Sequence, residues 1–391
     1  MTAGMILPGA TLGVLGGGQL GRMFTMAALT MGYRVLVLDP DPDSPAGQIA
    51  TEHLRADYRD AAALERMGRE CAAVTTEFEN VHADSLRLLA RHTVVRPSGD
   101  AVAIVQDRAR EKTFLAEAGF PTAPFGLVPN AQALPEAAAR TGFPALLKVS
   151  RFGYDGKGQA RVESLDEARA AFAAMGNEPC VLEAFLPLAA ELSVVLGRDA
   201  AGRTACYPVA ENRHRNGILD ISMAPARVSP AVAEQARAMA VAIAEKLDYC
   251  GVLAVEFFLL EGDRLVVNEI APRPHNSGHY TLDACLTSQF QQQVRVLCGL
   301  PLGDTRLFSP VVMVNLLGDV WRDGPPDWSA LLAHPDLKLH LYGKRQARPG
   351  RKMGHFNVVA PTLEAALATA LAARAAIGVE GPPPNVREPA A

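Results

Sequence analysis

Short apolar runs alternate with amphipathic stretches in the N-terminal part of the chain, and this rhythm predicts an α/β unit. The runs at 11–15, 33–38 and 72–76 have the length and the β-branched content of buried strands. A helical pattern at 22–31 separates the first two runs, and a glycine-rich turn joins it to the strand before it. A strand, a turn, a helix and a strand in this order indicate a parallel sheet, and the unit closes near residue 100.

A second pattern begins near residue 121, where two predicted strands enclose a glycine-rich loop. The runs 144–150 and 160–163 flank the loop GYDGKGQ at 153–159. A phosphate loop of the usual type leads into a helix, so we predict instead a hairpin whose backbone N–H groups fold over phosphates as a lid. Further helices are predicted at 107–119, 131–141, 165–175, 229–247, 288–297 and 362–377, and further strands at 180–185, 192–196, 204–209, 310–317 and 337–342.

Two β-branched and aromatic runs, 251–260 and 265–271, flank Gly262-Asp263 and predict a hairpin with a two-residue loop. Counting outward pairs position 261 with 264 and 260 with 265, and it places Glu256 directly opposite Glu269. Carboxylates on such a pair repel each other, because their Cβ atoms are roughly 4.5–5.5 Å apart. A divalent cation with oxygen ligands would offset that repulsion. A shared proton or an arginine partner is the alternative.

The overall composition is that of an ordinary globular protein, and it argues against several classes. With 391 residues the chain is long enough for two or three domains, and its net charge of −4 gives no general attraction to nucleic acid. The six cysteines form no CxxC pair, so they fit a reducing compartment better than a zinc site or a disulfide framework. The N-terminus lacks a basic signal-peptide region, and no apolar run reaches about 18 residues. A cytoplasmic protein without a membrane span is therefore expected.

The first glycine-rich turn, GGGQLG at 16–21, fits the pattern GxGxxG, and Asp39 lies near the spacing of a ribose-binding acid. Three interpretations stay open: a dinucleotide site, a helix N-terminus that receives another anionic or polar ligand, and a tight turn without a ligand. Glu77 and Glu79 follow the strand at 72–76. Ligands of parallel sheets bind beyond the carboxyl ends of the strands, so one of these acids is expected to reach a ligand near Gln19. Two solvated loop acids are the alternative.

Other charged residues occupy positions that favour anionic partners. Lys148 lies within an apolar strand, where a lysine either pairs with an anion or extends to solvent, and we favour a partner. Glu183 stands near the end of the strand at 180–185, which leads into a linker where a base and a ribose would fit. Five basic residues within 344–352 form the densest positive segment of the chain. A phosphate monoester is the sharper interpretation of that segment, and a solvated face is the alternative.

Five motifs together resemble the ATP-grasp enzymes and, among them, the 5-(carboxyamino)imidazole ribonucleotide synthases. They are GGGQLGRM at 16–23, TEFENV at 76–81, GYDGKGQ at 153–159, NEIAPRPHNSGH at 268–279 and RKMGH at 351–355. The resemblance covers residues 12 to about 360. It implies a mixed α/β, ATP-grasp fold with an N-terminal Rossmann-like domain (1–100), an ATP-grasp domain (101–301) with a lid at about 122–190, and a small C-terminal domain (302–391) that completes the substrate phosphate site.

The resemblance also implies a reaction of de novo purine biosynthesis. ATP phosphorylates bicarbonate to carboxyphosphate, which yields carbon dioxide or reacts directly. The exocyclic amine of 5-aminoimidazole ribonucleotide is then carboxylated, with release of ADP and phosphate. The implied requirements are ATP and Mg²⁺, and the implied partners are small molecules, with no nucleic acid and no membrane. A homodimer is implied as well.

The roles that the resemblance implies fall on four groups of residues. ATP would be bound by Arg108, Lys148, Gly153, Tyr154, Asp155, Gly156, Lys157, Gly158, Gln159, Glu183, Ala184, Phe185, Leu186, Glu191, His214, Asn268 and Glu269. Mg²⁺ would be held by Glu256, Glu269 and Asn268. The ribonucleotide would be bound by Gln19, Leu20, Glu77, Glu79, Asn276, Ser277, Lys344, Arg351 and Lys352, the last three at its phosphate. The implied catalytic residues are Arg273, His275 and Lys352, the first two at bicarbonate or carboxyphosphate.

One implied contact conflicts with simple strand geometry, and other functions stay open. Strict alternation places Asn268 on the opposite face from Glu269, so its metal contact requires a local twist. The nearest alternatives are the formate-dependent glycinamide ribonucleotide transformylases, which share the fold, and biotin carboxylase. Tyr154-Asp155 and the segment 276–279 favour the bicarbonate enzyme. An NAD-dependent dehydrogenase would use the first glycine turn but leaves Lys148 and the carboxylate pair unexplained. A non-catalytic nucleotide-binding module is the last alternative.

Overall fold

The N-terminal part of the chain folds around a parallel sheet of five strands. The computed structural model describes residues 4–151, 153 and 158–379. The strands are β1 (Thr11–Leu15), β2 (Arg34–Leu38), β3 (Glu52–Leu54), β4 (Ala73–Thr76) and β5 (Val94–Val95), in the spatial order β3-β2-β1-β4-β5. The helices of this part are α1 (Gln19–Thr30), α2 (Ala61–Glu70), α3 (Ala83–Leu89), α4 (Gly99–Val105) and α5 (Arg108–Glu117). The predicted Rossmann-like order is confirmed, and the carboxyl ends of β1 and β4 lie side by side.

A small antiparallel sheet follows, at the place where the lid was predicted. Its strands are β6 (Phe125–Val128), β7 (Ala145–Val149), β8 (Gln159–Val162) and β9 (Cys180–Ala184), in the order β6-β9-β7-β8. Helices α6 (Leu134–Thr141) and α7 (Leu165–Ala174) pack against it, and their apolar faces bury Leu134, Ala168 and Phe172. Strands β7 and β8 form the predicted hairpin. Strand β7 also pairs with β9 on its other side, where Lys148 lies opposite Val181.

The third sheet carries the carboxylate hairpin and also the C-terminal strands. In the described residues it has nine strands: β10 (Ala190–Arg198), β11 (Thr204–Cys206), β12 (Ala210–Arg215), β13 (Ile218–Ala224), β14 (Gly251–Leu260), β15 (Arg264–Ala271), β16 (Val311–Leu317), β17 (Leu337–Leu341) and β18 (Lys352–Val359). The order is β15-β14-β10-β12-β13-β16-β18-β17, and β11 pairs with β10. The pairing of β13 with β16 therefore joins the C-terminal segment to the ATP-grasp segment in one sheet.

Helices cover the third sheet and end at defined caps. They are α8 (Pro230–Lys246), α9 (Thr281–Ala284), α10 (Gln289–Leu297), α11 (Trp328–Leu332) and α12 (Leu363–Ala376). Helix α8 begins as predicted, with Ser229 accepting from the Val232 N–H and a proline at the first turn. Among the described helices, none combines the length and the apolar character that crossing a bilayer requires.

Helix α10 links the first sheet to the third. Phe290, Val294 and Leu297 pack into the core of the first sheet. Gln293 extends the link, because its side-chain amide donates to Thr75 Oγ1 in β4 (3.1 Å). Ser288 and Gln291 cap each other reciprocally at the helix start. The helix therefore begins at a fixed place beside the loop that follows β15.

The hydrophobic pattern missed β3, β5 and β6 and, in the third sheet, three further strands. It predicted none at 210–215, 218–224 or 352–359, where the structure has β12, β13 and β18. These strands include buried polar residues such as Asn212, Ser222, His355 and Asn357, which interrupt the alternation of apolar and polar positions. The basic segment at 344–352 therefore leads directly into a strand of the third sheet.

Candidate active site

The carboxylate hairpin has the predicted pair at its centre but a different register at its turn. Glu256 in β14 lies directly opposite Glu269 in β15, as expected. The loop has three residues, Glu261–Asp263, so Leu260 faces Arg264 instead of position 265, and the predicted pairing near the turn is wrong. A β-bulge restores the register, because Phe257 faces Val267 and Asn268 is the extra residue. The bulge also breaks the strict alternation of side chains at Asn268, which is the local change that its predicted metal contact requires.

The bulge brings the side-chain amide of Asn268 close to the carboxylate of Glu256. The Asn268 amide nitrogen lies 3.4 Å from Glu256 Oε2. Its amide oxygen is buried and has no hydrogen-bond partner in the described structure. Burial, and then the charge of Glu269, raise the pKa of Glu256 to about 7. Arg108 Nη1 approaches Glu269 Oε2 at 3.6 Å, so the arginine alternative holds for one carboxylate of the pair.

These oxygens fit a hard cation that receives further ligands from elsewhere. Mg²⁺ is usually bound by one or two carboxylates together with substrate phosphates and water. Within the described residues, no group of three or more His, Cys, Asp or Glu side chains is arranged to hold a metal ion alone. Glu256, Glu269 and the unpartnered Asn268 oxygen therefore make a partial ligand set of the kind that a nucleotide-bound Mg²⁺ requires.

Helix α5 supports the strand that carries Glu269, and the sequence analysis assigned no site role to the residues that do so. β15 is an edge strand of the third sheet, so its outward backbone groups need partners. Lys112 Nζ donates to the Asn268 carbonyl (2.8 Å), and Glu111 accepts from the Ile270 N–H (2.5 Å). The two contacts flank Glu269 on either side. Burial raises the pKa of Glu111 to about 8.

The residues predicted to bind ATP include a buried charge cluster, which with the neighbouring predicted residues is called the nucleotide side below. Lys148 and Lys112 each place Nζ 3.2 Å from Glu183 Oε2, which confirms the expected anionic partner of Lys148. Burial alone would raise the pKa of Glu183, but the two lysines and Arg108 lower it to about 2. Glu183 thus bridges the lid strand β7 and helix α5.

Other residues predicted to bind ATP lie on neighbouring elements. His214 Nδ1 is 2.7 Å from Glu191 Oε2, and although burial opposes it, that carboxylate raises the pKa of His214 to about 9. Phe185 is 41% exposed, and Arg161 lies over its ring. The residues Gly153, Gly158, Gln159, Ala184 and Leu186 lie on the lid sheet or in its connections. The predicted residues Tyr154, Asp155, Gly156 and Lys157 lie outside the described residues.

The first glycine turn is filled by the chain's own carboxylates. Glu77 accepts from the Gly18 N–H (2.7 Å) and the Gly21 N–H (2.8 Å). Asp39 accepts from the Gly17 N–H (2.6 Å) and from Tyr58. The helix N-terminus does receive an acidic group, but the group is the half-buried side chain of Glu77, which lies close beside Gly16–Gly21. A dinucleotide pyrophosphate would have to displace both carboxylates, which argues against the dehydrogenase alternative.

The loop after β15 gathers the predicted catalytic residues. Arg273 forms an ion pair with Glu79, so the second of the two acids reaches a site residue. His275 Nε2 lies 3.4 Å from Glu256 Oε1. The Ser277 N–H donates to His275 Nδ1 (3.3 Å), which is therefore an acceptor. Burial, together with Arg273 and Lys352, holds the pKa of His275 well below its usual value, so the ring is neutral and carries its proton on Nε2.

The predicted ribonucleotide residues are only partly brought together. Lys344 Nζ donates to Gln19 Oε1 (2.5 Å) and to the Lys352 carbonyl (2.7 Å), which joins the basic segment to helix α1. Arg351 donates to the Gln346 carbonyl at the surface. Besides Glu77 and Glu79, three members are engaged inside the protein: Leu20 packs in the core of the first sheet, Asn276 pairs with Asn315, and Ser277 accepts from Ser193.

Taken with the sheets that carry it, this site defines an ATP-grasp protein. Residues 113–290 match the ATP-grasp domain family, residues 9–106 match the ribonucleotide synthetase preATP-grasp domain, and residues 311–369 match the phosphoribosylaminoimidazole carboxylase C-terminal domain. N5-carboxyaminoimidazole ribonucleotide synthase from Brucella melitensis is 46% identical over 356 residues, covering 90% of this chain and 97% of that protein. The Bacillus subtilis enzyme of the same name is 43% identical, covering 91% and 93%.

Solved structures agree with this relationship. The Staphylococcus aureus N5-carboxyaminoimidazole synthetase complexed with ADP superposes with a TM-score of 0.90 at 36% identity, covering 95% of this chain and 98% of that chain. The Aspergillus clavatus enzyme in complex with ADP and 5-aminoimidazole ribonucleotide gives 0.87 at 33% identity, covering 94% and 98%. The chain belongs to the N5-carboxyaminoimidazole ribonucleotide synthase family, the ATP-dependent ligases of purine biosynthesis whose motifs the sequence resembles.

Proposed function

We propose that this protein carboxylates 5-aminoimidazole ribonucleotide with bicarbonate, at the expense of ATP, through carboxyphosphate. The observation that carries the proposal is the position of the Arg273–His275 loop. Its His275 Nε2 lies 3.4 Å from Glu256 Oε1, Arg273 pairs with Glu79, and the charge of Lys352 in the basic segment acts on His275. We place a metal-bound triphosphate, a small anion and a sugar phosphate around this loop, and the reaction needs all three together.

The nucleotide side positions ATP for transfer of its terminal phosphoryl group. Lys148 and Arg108 supply positive charge, and Glu183 and Glu191 supply acceptors for the base and ribose. Glu256, Glu269 and Asn268 would hold Mg²⁺, which when bound neutralises charge on the phosphates. Transfer of this kind depends mainly on positioning and on charge neutralisation, so these residues need no covalent role.

The loop after β15 handles the small anion. A bicarbonate oxygen attacks the γ-phosphorus, the bond to the ADP oxygen breaks, and carboxyphosphate forms. Arg273, fixed by Glu79, binds these anions, and the neutral His275 contacts them through Nε2. The ribonucleotide amine then attacks the carboxyl carbon, directly or after release of carbon dioxide. The C–O bond to phosphate breaks and the amine loses a proton. Closure of the lid excludes water from the labile intermediate.

The ribonucleotide binds across the first and third sheets. Lys344, Lys352 and Arg351 receive its phosphate, and Gln19 contacts it from helix α1. We place the reaction in the cytoplasm, in keeping with the six free cysteines. We also propose a homodimer, which the family relationship suggests.

The test is phosphate release from ATP, Mg²⁺ and bicarbonate, with and without 5-aminoimidazole ribonucleotide. Stimulation by that ribonucleotide, and none by glycinamide ribonucleotide with formate, is the expected result. Stimulation by the second pair alone would overturn the proposed substrate and keep the fold and the nucleotide side. Loss of release when bicarbonate is removed tests the carboxyl donor separately.

A further inference from the structure

We propose that Gln289 is a positioning residue that sets the backbone of His275 in the active-site loop, an inference that rests on the proposed function. Its side-chain amide makes a two-way contact with one residue. Gln289 Oε1 accepts from the His275 N–H (2.9 Å), and Gln289 Nε2 donates to the His275 carbonyl (2.8 Å). These are the bonds that a neighbouring β-strand would make, supplied here by one side chain.

The clamp is buried and reinforced from two sides. Gln289 has no exposed surface, and its Nε2 also lies 3.1 Å from His279 Nδ1. Thr281 Oγ1 donates to the Gly278 carbonyl (2.7 Å) and accepts from the Gln289 N–H (3.0 Å). The loop is therefore tied to the first residue of α10 by both its backbone and its side chain.

The close approach also accounts for a glycine in the loop. A Cβ atom at Gly278 would lie 2.6 Å from Gln289 Oε1, which is too close for any side chain. Gly278 does not have a positive φ in the structure, so its need for glycine is a matter of space. The motif residues 275–279 and Gln289 thus form one packed unit.

The position of His275 matters because its ring reaches Glu256, one of the proposed metal ligands. Nε2 lies 3.4 Å from Glu256 Oε1, and the preceding residues lead to Arg273. Without the clamp, the His275 N–H and carbonyl would lose their partners and the loop would shift to find others. A misplacement of about 1 Å at a reacting group costs about 10²-fold in rate. Gln289 has no exposed surface with which to contact a substrate, so its effect passes through His275.

The same helix offers a matched control. Gln292 is also fully buried, and it clamps Gly303 in the same way, with its Oε1 accepting (2.8 Å) and its Nε2 donating (3.1 Å). Gly303 belongs to the connection between α10 and β16, and none of the predicted site residues lies in that connection. Gln289→Met and Gln292→Met therefore each remove both hydrogen bonds of a clamp on the same helix. The clamped residue serves the reaction in the first variant only, which also loses the contact of Gln289 with His279.

The experiment measures phosphate release with ATP, Mg²⁺, bicarbonate and 5-aminoimidazole ribonucleotide, together with thermal unfolding of each variant. Gln289→Met is expected to lower kcat about 10²-fold with the KM for ATP within about threefold of wild type. Gln292→Met is expected to lower Tm to a similar degree and to keep kcat within about threefold. Equal kcat losses in the two variants, or an unchanged kcat in Gln289→Met, would overturn the inference.

A second pair of variants keeps the test decisive if Gln289→Met does not fold. Gln289→Glu retains the acceptor for the His275 N–H, and burial favours its protonated form, whose single O–H replaces the amide donor imperfectly. An intermediate loss of about tenfold in kcat is therefore expected. Gln292→Glu is its control, and equal losses in these two also count against the inference. Failure of the proposed function is seen separately, as absence of ribonucleotide-stimulated release in the wild-type protein.

Discussion

Two buried glutamates on neighbouring sheets of this protein experience opposite electrostatic environments. Glu183 in the lid sheet lies between Lys112 and Lys148, and their charges lower its pKa to about 2 in spite of burial. Glu256 in the third sheet faces Glu269, and burial and that second carboxylate raise its pKa to about 7. Both side chains are buried.

The difference separates a charge that the protein balances itself from one that it balances only in part. The charge of Glu183 is balanced within the protein, so it holds helix α5 against strands β7 and β9 whether or not a ligand is bound. The charge of Glu256 is balanced only in part, because the pKa of His275 is well below its usual value, Arg108 approaches the other carboxylate, and the charge of His214 does not offset burial and Glu269. A buried charge without compensation is costly, and it indicates where the charge of a ligand belongs.

The largest effect is expected from Glu269→Gln. This change removes a proposed metal ligand and should lower phosphate release by about 10³-fold, because metal neutralisation contributes several kcal/mol. In the absence of metal and nucleotide, the variant should be no less stable than wild type, since its repulsion with Glu256 disappears. Glu261→Gln, on the exposed turn of the same hairpin, is the control and should keep full activity. Unchanged turnover in Glu269→Gln would rule out the metal assignment.

Glu183→Gln should have the opposite balance of effects, with a large loss of stability. It leaves the buried ammonium groups of Lys112 and Lys148 without their anion, which costs about 3–5 kcal/mol of unfolding free energy. Urea denaturation measures the change. Glu163→Gln breaks a surface pair with Arg161 and should cost less than about 1 kcal/mol. A Glu183→Gln protein as stable as this control would mean that the lysine cluster is not a structural unit.

The parts of the site that sequence reasoning predicted are those governed by local chemistry. A lysine in an apolar strand needs an anion, and Lys148 has Glu183. Residues opposite each other in a hairpin share a face, and Glu256 faces Glu269. That second success had a compensating error, because the longer turn and the bulge at Asn268 shift the register in opposite directions. Neither the turn nor the bulge has a signal strong enough to detect in one sequence.

The parts that could not be predicted depend on tertiary contacts. The glycine turn favours an anion, but nothing in the sequence says that Glu77 is that anion. Lys112 and Glu111 looked like members of an ordinary charged helix, and their partners are backbone groups of an edge strand far along the chain. Strands β12 and β18 bury polar residues, so the hydrophobic pattern gave no sign of them.

The pH dependence of stability should separate the two glutamates further. The folded-state pKa of Glu256, about 7, exceeds its ordinary value of 4.5, so its contribution is complete below about pH 4.5 and is lost as pH rises through 7. Glu183 behaves oppositely, and its contribution is lost only as pH falls from 4.5 towards 2. Between pH 4.5 and pH 7, metal-free wild type should therefore lose about 1–3 kcal/mol of unfolding free energy relative to Glu256→Gln. Parallel denaturation profiles for the two proteins would contradict the raised pKa.

An effect of similar size, seen in KM and not in stability, is expected from Lys352→Ala in the basic segment. Lys352 contributes positive charge at Glu79 and His275, and in the proposed function it receives the ribonucleotide phosphate. A charge-assisted hydrogen bond contributes about 1.5–3 kcal/mol, so the KM for the ribonucleotide should rise about 10- to 100-fold. The KM for ATP should stay within about threefold, because the nucleotide-side charges are carried by other elements. Arg345→Ala removes a cation of the same basic segment that pairs with Asp43 at the surface, and it should change neither constant. Equal increases in both KM values for Lys352→Ala would place this lysine at the shared phosphoryl centre instead of the sugar phosphate.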